Sequence, residues 1–149
     1  MEEVKGNIWD YADQGYIVIP TNGIVKKNGD AVMGAGLAKE AARRFPSLPQ
    51  KLGIRLKETG NHNYHFMDIK LMTFPTKNHW KEPSDLNLII SSAAQLQNDL
   101  KVIQKQGRTI HYFLPRVGCG CGGLDWKVVR AAIAPYLDDP MVTIVYDNN

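Results

Sequence analysis

The segment FPTKNHW, Phe74 to Trp80, places a lysine, a histidine and a tryptophan directly after a run of apolar residues. A lysine amine held in a cleft binds an anion or attacks an aldehyde-like carbon. On an open loop the same amine is simply solvated. His79 and Trp80 form either an aromatic platform beside Lys77 or, in the case of Trp80, part of the core. Lys77 is therefore a candidate catalytic group, with a solvated loop lysine as the alternative.

Two glycine-rich segments have the composition of anion-binding loops. VGCGCGG (Val117 to Gly123) and MGAG (Met33 to Gly36) each precede a predicted helix. Glycines let backbone N–H groups approach a phosphate, and a helix N-terminus favours negative charge. Two such loops facing one cleft would suit a diphosphate. The structural alternative for VGCGCGG is a tight turn with close helix packing.

The glycine spacing excludes two common nucleotide sites. Gly118, Gly120 and Gly123 match G-x-G-x-x-G, but a dinucleotide fingerprint opens the nucleotide half of a sheet and only one strand follows here. We therefore reject hydride transfer. Neither loop carries the G-K-[ST] of a P-loop, which argues against a nucleoside triphosphate held with magnesium.

Two further polar residues have both a structural and a functional interpretation. Asn22, in TNG, either shapes an Asx turn or donates a hydrogen bond to a sugar hydroxyl. Asp125 is typical of a helix N-cap, with a catalytic role as the alternative. Asp30, just before MGAG, is a further acid near the same loops.

The elements that must position these residues alternate between strand and helix patterns. Apolar spacing predicts a strand, two helices, one or two strands, a long amphipathic helix, a strand, a helix and a final strand. Pro135 is expected to bend or end the last helix. The ranges in chain order are Tyr16 to Thr21, a helix through Ala38 stopped by Pro46, a helix from Leu48 to Gly60, His65 to Phe74, Ser84 to Gly107, Ile110 to Leu114, a helix through Trp126 and Val129, and Val142 to Tyr146.

This alternation predicts an α/β fold in which a largely parallel sheet is covered by helices on both faces. Ligands bind such sheets at the carboxyl ends of the strands. Four polar or glycine-rich segments follow strands, so we expect them to meet at one edge: TNG (Thr21 to Gly23), PTKNHW (Pro75 to Trp80), RVGCGCGG (Arg116 to Gly123) and DNN (Asp147 to Asn149).

Length and composition fit a single domain over residues 1–149. The chain is 44% hydrophobic and 22% charged, and no apolar run is long enough to cross a bilayer. The N-terminus lacks the pattern of a secretory signal, so we expect a cytoplasmic protein with Cys119 and Cys121 as reduced thiols. A net charge of +3 neither indicates nor excludes a nucleic-acid partner.

Several motifs together resemble the macro domain, the ADP-ribose-binding family. They occur in order over almost the whole chain: VKGNIWDY, IVIPTNG, VMGAGLAKEAARRFP, FPTKNHW and PRVGCGCGGLDW. The series is far more specific than either glycine loop alone. Within the family the chain is similar to the branch containing the terminal ADP-ribose glycohydrolases and the antitoxins that remove ADP-ribose from thymidine bases in DNA. FPTKNHW resembles the antitoxins especially.

The resemblance implies a three-layer α/β/α domain with a central mixed, largely parallel sheet, and it assigns roles within the cleft. MGAG and GCGCGG would hold the diphosphate and distal ribose. Asn7 stands where many members carry an aspartate for adenine, and its amide oxygen can still accept that hydrogen bond. The candidate catalytic residues are Lys77, Asn22 and Asp125. The candidate ligand-binding residues are Asn7, Ile8, Thr21, Asn22, Met33, Gly34, Ala35, Gly36, Leu37, Pro115, Val117, Gly118, Cys119, Gly120, Cys121, Gly122, Gly123, Tyr146 and Asp147.

The function implied by the resemblance is an ADP-ribosyl glycohydrolase that needs neither a metal nor a cofactor. The protein-directed enzymes carry an acid within the glycine loop where this chain has Gly122. A DNA base is therefore favoured over a protein side chain as the acceptor. The expected partners are ADP-ribose and an ADP-ribosylated macromolecule, including single-stranded DNA, and the expected state is a monomer. The alternatives are a reader module that only binds ADP-ribose and an ADP-ribose 1''-phosphate phosphatase.

Overall fold

The computed structural model describes residues 1–147 and contains, within that range, six strands and four α-helices. None of these helices is long and apolar enough to cross a membrane. The elements in chain order are β1 (Glu2–Lys5), a short 3₁₀ helix (Ile8–Tyr11), β2 (Tyr16–Thr21), α1 (Gly36–Arg44), α2 (Leu48–Thr59), β3 (His65–Phe66), β4 (Leu71–Pro75), α3 (Leu86–Lys105), β5 (Tyr112–Leu114), α4 (Trp126–Leu137) and β6 (Val142–Tyr146).

The strands form one sheet in the order β1-β6-β5-β2-β4-β3. Every neighbouring pair is parallel except β3 and β4, which are antiparallel. The predicted mixed, largely parallel sheet is confirmed. Because β2, β4, β5 and β6 run in the same direction, their carboxyl ends lie at one edge, and the segments that follow them begin there.

Alternate residues of β2 divide the core into two layers. Ile17 and Ile19 pack with Leu48 of α2 on one face of the sheet. Val18 points to the other face, where it joins a cluster that includes Ile89 of α3. All five side chains are at most 2% exposed. Helices therefore cover both faces, which confirms the three-layer α/β/α prediction.

The structure differs from the sequence prediction mainly at element boundaries. No pattern predicted β1, because its charged residues are only partly covered at the edge of the sheet. The long helix begins at Leu86, not Ser84, because Asp85 caps it by accepting from the N–H of Asn87 at 2.9 Å. Pro135 does not end α4 at once, since the helix runs on for two residues to Leu137. The last two residues of DNN, Asn148 and Asn149, lie outside the described residues.

Candidate functional site

Two adjoining cavities form a continuous cleft along the carboxyl edge of the sheet. The larger, here the Lys77 cavity, has a volume of 580 Å³, and the smaller, here the Tyr146 cavity, has a volume of 420 Å³. Both lie within the range of roughly 300–1,000 Å³ that is usual for ligand pockets. The two cavities share a wall made by Leu37, Pro115, Arg116, Cys119 and Gly120.

The cleft brings together nearly all of the residues predicted from the sequence. All candidate ligand-binding residues line one or both cavities except Val117 and Gly123. Val117 is fully buried in the core beneath the glycine loop. Lys77 and Asn22 line the larger cavity, together with Thr21 and the MGAG loop. The shared edge of the parallel strands thus assembles segments that are distant in sequence.

Lys77 is held in the cavity by its backbone. The N–H groups of Thr76 and Lys77 donate to the carbonyl of Thr21 at the end of β2, at 3.0 and 3.4 Å. The amide of Asn61 donates to the carbonyl of Lys77 at 3.0 Å. The half-buried side chain reaches the glycine loop, where Nζ donates to the carbonyl of Cys121 at 3.5 Å. A primary amine therefore faces the glycine loop across the cavity on a fixed backbone.

The glycine loop is open at its middle and tightly packed at its end. A Cβ on Gly120 would meet no heavy atom within 4 Å, so this residue presents bare backbone to the cleft. A Cβ on Gly122 would instead overlap the hydroxyl of Ser84 and the carbonyl of Gly118. Gly118 itself has a φ of 79°, which favours glycine. The tight-turn interpretation of VGCGCGG therefore holds at Gly122, and the anion-binding interpretation stays a prediction for the open backbone at Gly120.

The packing around Gly122 predicts that Gly122→Ala destabilises the fold. The added methyl group would overlap a side chain and a backbone carbonyl. Overpacking of this kind costs about 1–3 kcal/mol in the free energy of unfolding. Gly34→Ala is the matched control, because a Cβ there meets nothing within 4 Å. Urea denaturation should show a lower midpoint for Gly122→Ala alone; equal midpoints for the two variants would contradict this account. The same overlap applies to an acidic residue at position 122.

Ser84 was predicted only as a helix start, but it lies in the wall of the Lys77 cavity. Its N–H donates to the carbonyl of Gly122 at 3.0 Å, which ties the segment before α3 to the glycine loop. Its Oγ is buried and has no hydrogen-bond partner among the described residues. The hydroxyl lies against Gly122, so Ser84 supports the glycine loop from beneath.

Asn22 forms the Asx turn that the sequence allowed. Its Oδ1 accepts from the N–H of Ile24 and its Nδ2 donates to the carbonyl of Val32, both at 3.0 Å. These bonds join the loop after β2 to the segment before MGAG. The amide also lines the Lys77 cavity, and one of its two N–H donors is not used by Val32. Its contact with a sugar stays a prediction.

The two candidate acids lie outside the cleft. Asp125 is the N-cap of α4, where its carboxylate accepts from the N–H of Lys127 at 3.0 Å. Asp30 lies in an exposed turn and accepts a hydrogen bond from the side chain of Asn28. Within residues 1–147, neither acid lines either cavity. The geometry supports the capping interpretation of Asp125 and does not bring an acid to Lys77.

The Tyr146 cavity is lined by residues from both ends of the chain, including Asn7, Ile8, Tyr146 and Asp147. Asn7 caps the 3₁₀ helix, since its Oδ1 accepts from the N–H of Trp9 at 3.0 Å. An amide oxygen has a second lone pair, so Asn7 can still accept from a ligand.

Arg116 lines both cavities and was not among the predicted site residues. Its guanidinium lies 4.0 Å from the ring centroid of Tyr146 and pairs with Glu3 at 3.6 Å. Burial acts to raise the pKa of Glu3, but hydrogen bonds from Arg130 and Trp126 hold it below its ordinary value. Glu3 therefore stays anionic and keeps Arg116 in place. A fixed positive charge at the junction of the cavities suits an anionic ligand.

The two cysteines are free thiols. Burial raises the pKa of Cys119, with Asp125 acting in the same direction and Arg116 against it. A thiol with a raised pKa is a poor nucleophile at neutral pH. Among residues 1–147, no group of three or more histidine, cysteine, aspartate or glutamate side chains is placed to hold a metal ion.

Comparisons with solved structures match nearly the whole chain. The macrodomain of Thermus aquaticus DarG is 25% identical with a TM-score of 0.73, and the match covers 99% of this chain and 97% of that one. The macrodomain of Mycobacterium tuberculosis DarG is 27% identical with a TM-score of 0.72, over 98% and 95% of the two chains. The fold is therefore that of a macrodomain, and the match covers nearly the full length of both chains.

The curated relatives are longer proteins. A DNA ADP-ribosyl transferase-DNA ADP-ribosyl glycohydrolase fusion protein of Thermosipho africanus is 29% identical over 76% of this chain and 34% of its own length. A DNA ADP-ribosyl glycohydrolase of Mycobacterium tuberculosis is 30% identical over 66% of this chain and 30% of its own. The chain thus spans about a third of these relatives. No protein-family model matches it.

The sequence motifs, the three-layer fold and the structural matches over nearly the full length agree with one another. The chain belongs to the macro domain family and is similar within it to the DNA ADP-ribosyl glycohydrolases.

Proposed function

We propose that the cleft binds ADP-ribose, with the adenosine half in the Tyr146 cavity and the distal ribose in the Lys77 cavity. The diphosphate then lies at the shared wall, where Arg116 supplies positive charge and Gly120 exposes backbone. The MGAG loop also lines the larger cavity, at the start of α1. This arrangement offers two sets of backbone donors to one diphosphate.

We further propose that the domain hydrolyses the bond between the distal ribose and its acceptor. The observation that carries this proposal is the position of the Lys77 amine, which faces the glycine loop on a backbone fixed by Thr21 and Asn61. In its neutral form the amine attacks the anomeric carbon of the distal ribose. The bond from that carbon to the acceptor breaks, and the acceptor takes up a proton. Water then releases ADP-ribose from the lysine.

A DNA base is the acceptor that we favour. The loop acid of the protein-directed enzymes falls on Gly122, where the packing against Ser84 and Gly118 leaves no room for a side chain. Asp125, the nearest acid in sequence, caps α4 outside the cleft. The curated relatives are named as DNA ADP-ribosyl glycohydrolases. Catalysis in this chain therefore rests on Lys77, with Asn22 positioning the ribose and no partner acid.

The proposed function predicts both binding and release. Calorimetry should show binding of free ADP-ribose, and a folded sample that does not bind at millimolar ligand would overturn the proposal. A release assay should then compare ADP-ribosylated thymidine DNA, guanosine DNA, acidic protein side chains and ADP-ribose 1''-phosphate. We expect the fastest release from a DNA base. Binding without release from any acceptor would identify a reader module, and release from the 1''-phosphate alone would identify a phosphatase.

A further inference from the structure

Two aromatic side chains, His79 and Trp80, lie at the edge of the Lys77 cavity with the side chain of Lys81 beside them. The three residues are called here the Trp80 platform. The rings of His79 and Trp80 are stacked with centroids 5.4 Å apart and planes 29° apart. Nζ of Lys81 lies 5.1 Å from the centroid of the Trp80 ring. Trp80 itself lines the cavity that contains Lys77, yet 48% of its surface is exposed.

The exposure of Trp80 distinguishes it from the other large apolar side chains on the surface. The exposed group within residues 1–147 consists of Ile54, Met67, Trp80, Val102 and Val128. Only Trp80 among them lines a cavity in this part of the chain. Isolated apolar residues on a surface need no explanation, but a half-exposed aromatic ring at the edge of a ligand cavity is accessible to part of a bound molecule.

The platform is built on an ordered turn. The backbone N–H of Lys81 donates to Nδ1 of the His79 ring at 3.1 Å, and the N–H of Glu82 donates to the carbonyl of His79 at the same distance. The carbonyl of Asn78 accepts from the N–H of Gly23, in the loop after β2, at 3.2 Å. The ring that supports Trp80 is therefore fixed before any ligand arrives, which lowers the entropic cost of binding.

We propose that the Trp80 platform stacks a nucleobase next to the ADP-ribosylated base in a single-stranded nucleic acid, with Lys81 beside the adjoining phosphate. The inference rests on the proposed function, because the ADP-ribose in the cleft brings the strand to Trp80. Aromatic stacking with a nearby cation is how proteins hold single strands without reading sequence. In a duplex the neighbouring base is already stacked on both faces, so the platform selects single strands.

The test compares the affinity of an ADP-ribosylated oligothymidylate with that of free ADP-ribose. Lys77→Ala is the background, so that the oligonucleotide is not consumed during the measurement. Stacking of one base should make the oligonucleotide bind on the order of tenfold tighter than ADP-ribose. Trp80→Ala in that background should abolish this difference while leaving the affinity for ADP-ribose within about twofold. Trp80→Phe should retain part of it, because a smaller ring still stacks.

Met67→Ala provides the matched control, because Met67 is 74% exposed and lines neither cavity. It should leave both affinities unchanged. An oligonucleotide with an abasic residue on one side of the modified base provides the complementary change. When the missing base is the one that stacks on Trp80, the oligonucleotide should lose as much affinity as Trp80→Ala causes. Combining the abasic oligonucleotide with Trp80→Ala should lower the affinity no further than either change alone.

The outcomes separate the two proposals. If ADP-ribose itself does not bind, the proposed function fails and the platform falls with it. The platform is overturned and the proposed function stands if ADP-ribose binds normally but the ADP-ribosylated oligonucleotide binds no tighter than ADP-ribose. The same holds if the oligonucleotide binds tighter by the same factor in the Trp80→Ala variant. A loss of affinity for free ADP-ribose in Trp80→Ala would show that Trp80 shapes the cavity and does not stack a base. An ADP-ribosylated peptide that gains as much from Trp80 as the oligonucleotide does would also overturn the nucleic-acid assignment.

Discussion

Lys77→Ala should lower the rate of ADP-ribose release on the order of 100-fold to 1,000-fold, because a well-placed group in a water-poor site contributes about 3–4 kcal/mol to the transition state. Lys77 is partly buried as a residue, and its amine lies 3.5 Å from the carbonyl of Cys121, within the cavity assigned to the distal ribose. The affinity for free ADP-ribose should stay within about tenfold, roughly 1.4 kcal/mol, because the glycine loops remain. A large loss in rate with a small loss in affinity marks an interaction made in the transition state.

Lys77→Arg separates chemistry from electrostatics. The guanidinium keeps the positive charge but does not lose a proton readily, so it cannot act as a nucleophile. We expect this variant to be as slow as Lys77→Ala. Lys101→Ala, on the exposed surface of α3, is the matched control and should keep the full rate. Full turnover by Lys77→Arg would exclude covalent catalysis and show that Lys77 acts only as a cation. Full turnover by Lys77→Ala as well would contradict the catalytic interpretation of FPTKNHW.

The parts of the fold that could be predicted from the sequence are those specified by local pattern. The β-branched run Tyr16 to Thr21 and the helical spacing of α3 depend on near neighbours, so their types and approximate bounds are confirmed. The edge strand β1 was missed because it is held by its pairing with β6, at the other end of the chain. A short charged strand carries little pattern of its own, and only the long-range register identifies it.

The same distinction applies to the site. The sequence predicted that Lys77 and Gly120 lie in the cleft because each belongs to a segment that follows a predicted strand, and parallel strands bring such segments to one edge. Ser84 and Arg116 were missed as site residues because their importance depends on contacts across the sequence. Ser84 meets Gly122 through the fold, and Arg116 is held by Glu3. Asp125 is close to the glycine loop in sequence but lines neither cavity of residues 1–147, so its position supports the capping interpretation that the sequence favoured.

Gly120→Val should block ADP-ribose without disturbing the fold. Gly120 lies in the wall shared by both cavities, and a Cβ there meets no heavy atom within 4 Å. A branched side chain therefore has room in the free protein, but it fills the space assigned to the diphosphate. Hydrogen bonds to a charged group are worth about 1.5–3 kcal/mol each, so losing them should weaken binding on the order of 100-fold. Calorimetry with ADP-ribose measures this loss, and thermal unfolding should show an unchanged midpoint.

Cys119→Ala is the matched control for Gly120→Val, because it changes the neighbouring residue of the same loop and leaves the bare backbone in place. The thiol makes only a weak hydrogen bond, from Sγ to the carbonyl of Val117 at 3.4 Å. We therefore expect its loss to leave the affinity for ADP-ribose within about tenfold. If Cys119→Ala abolishes binding and Gly120→Val does not, the diphosphate is held elsewhere, because a ligand gripped by the backbone of this loop must respond to the side chain that fills its place.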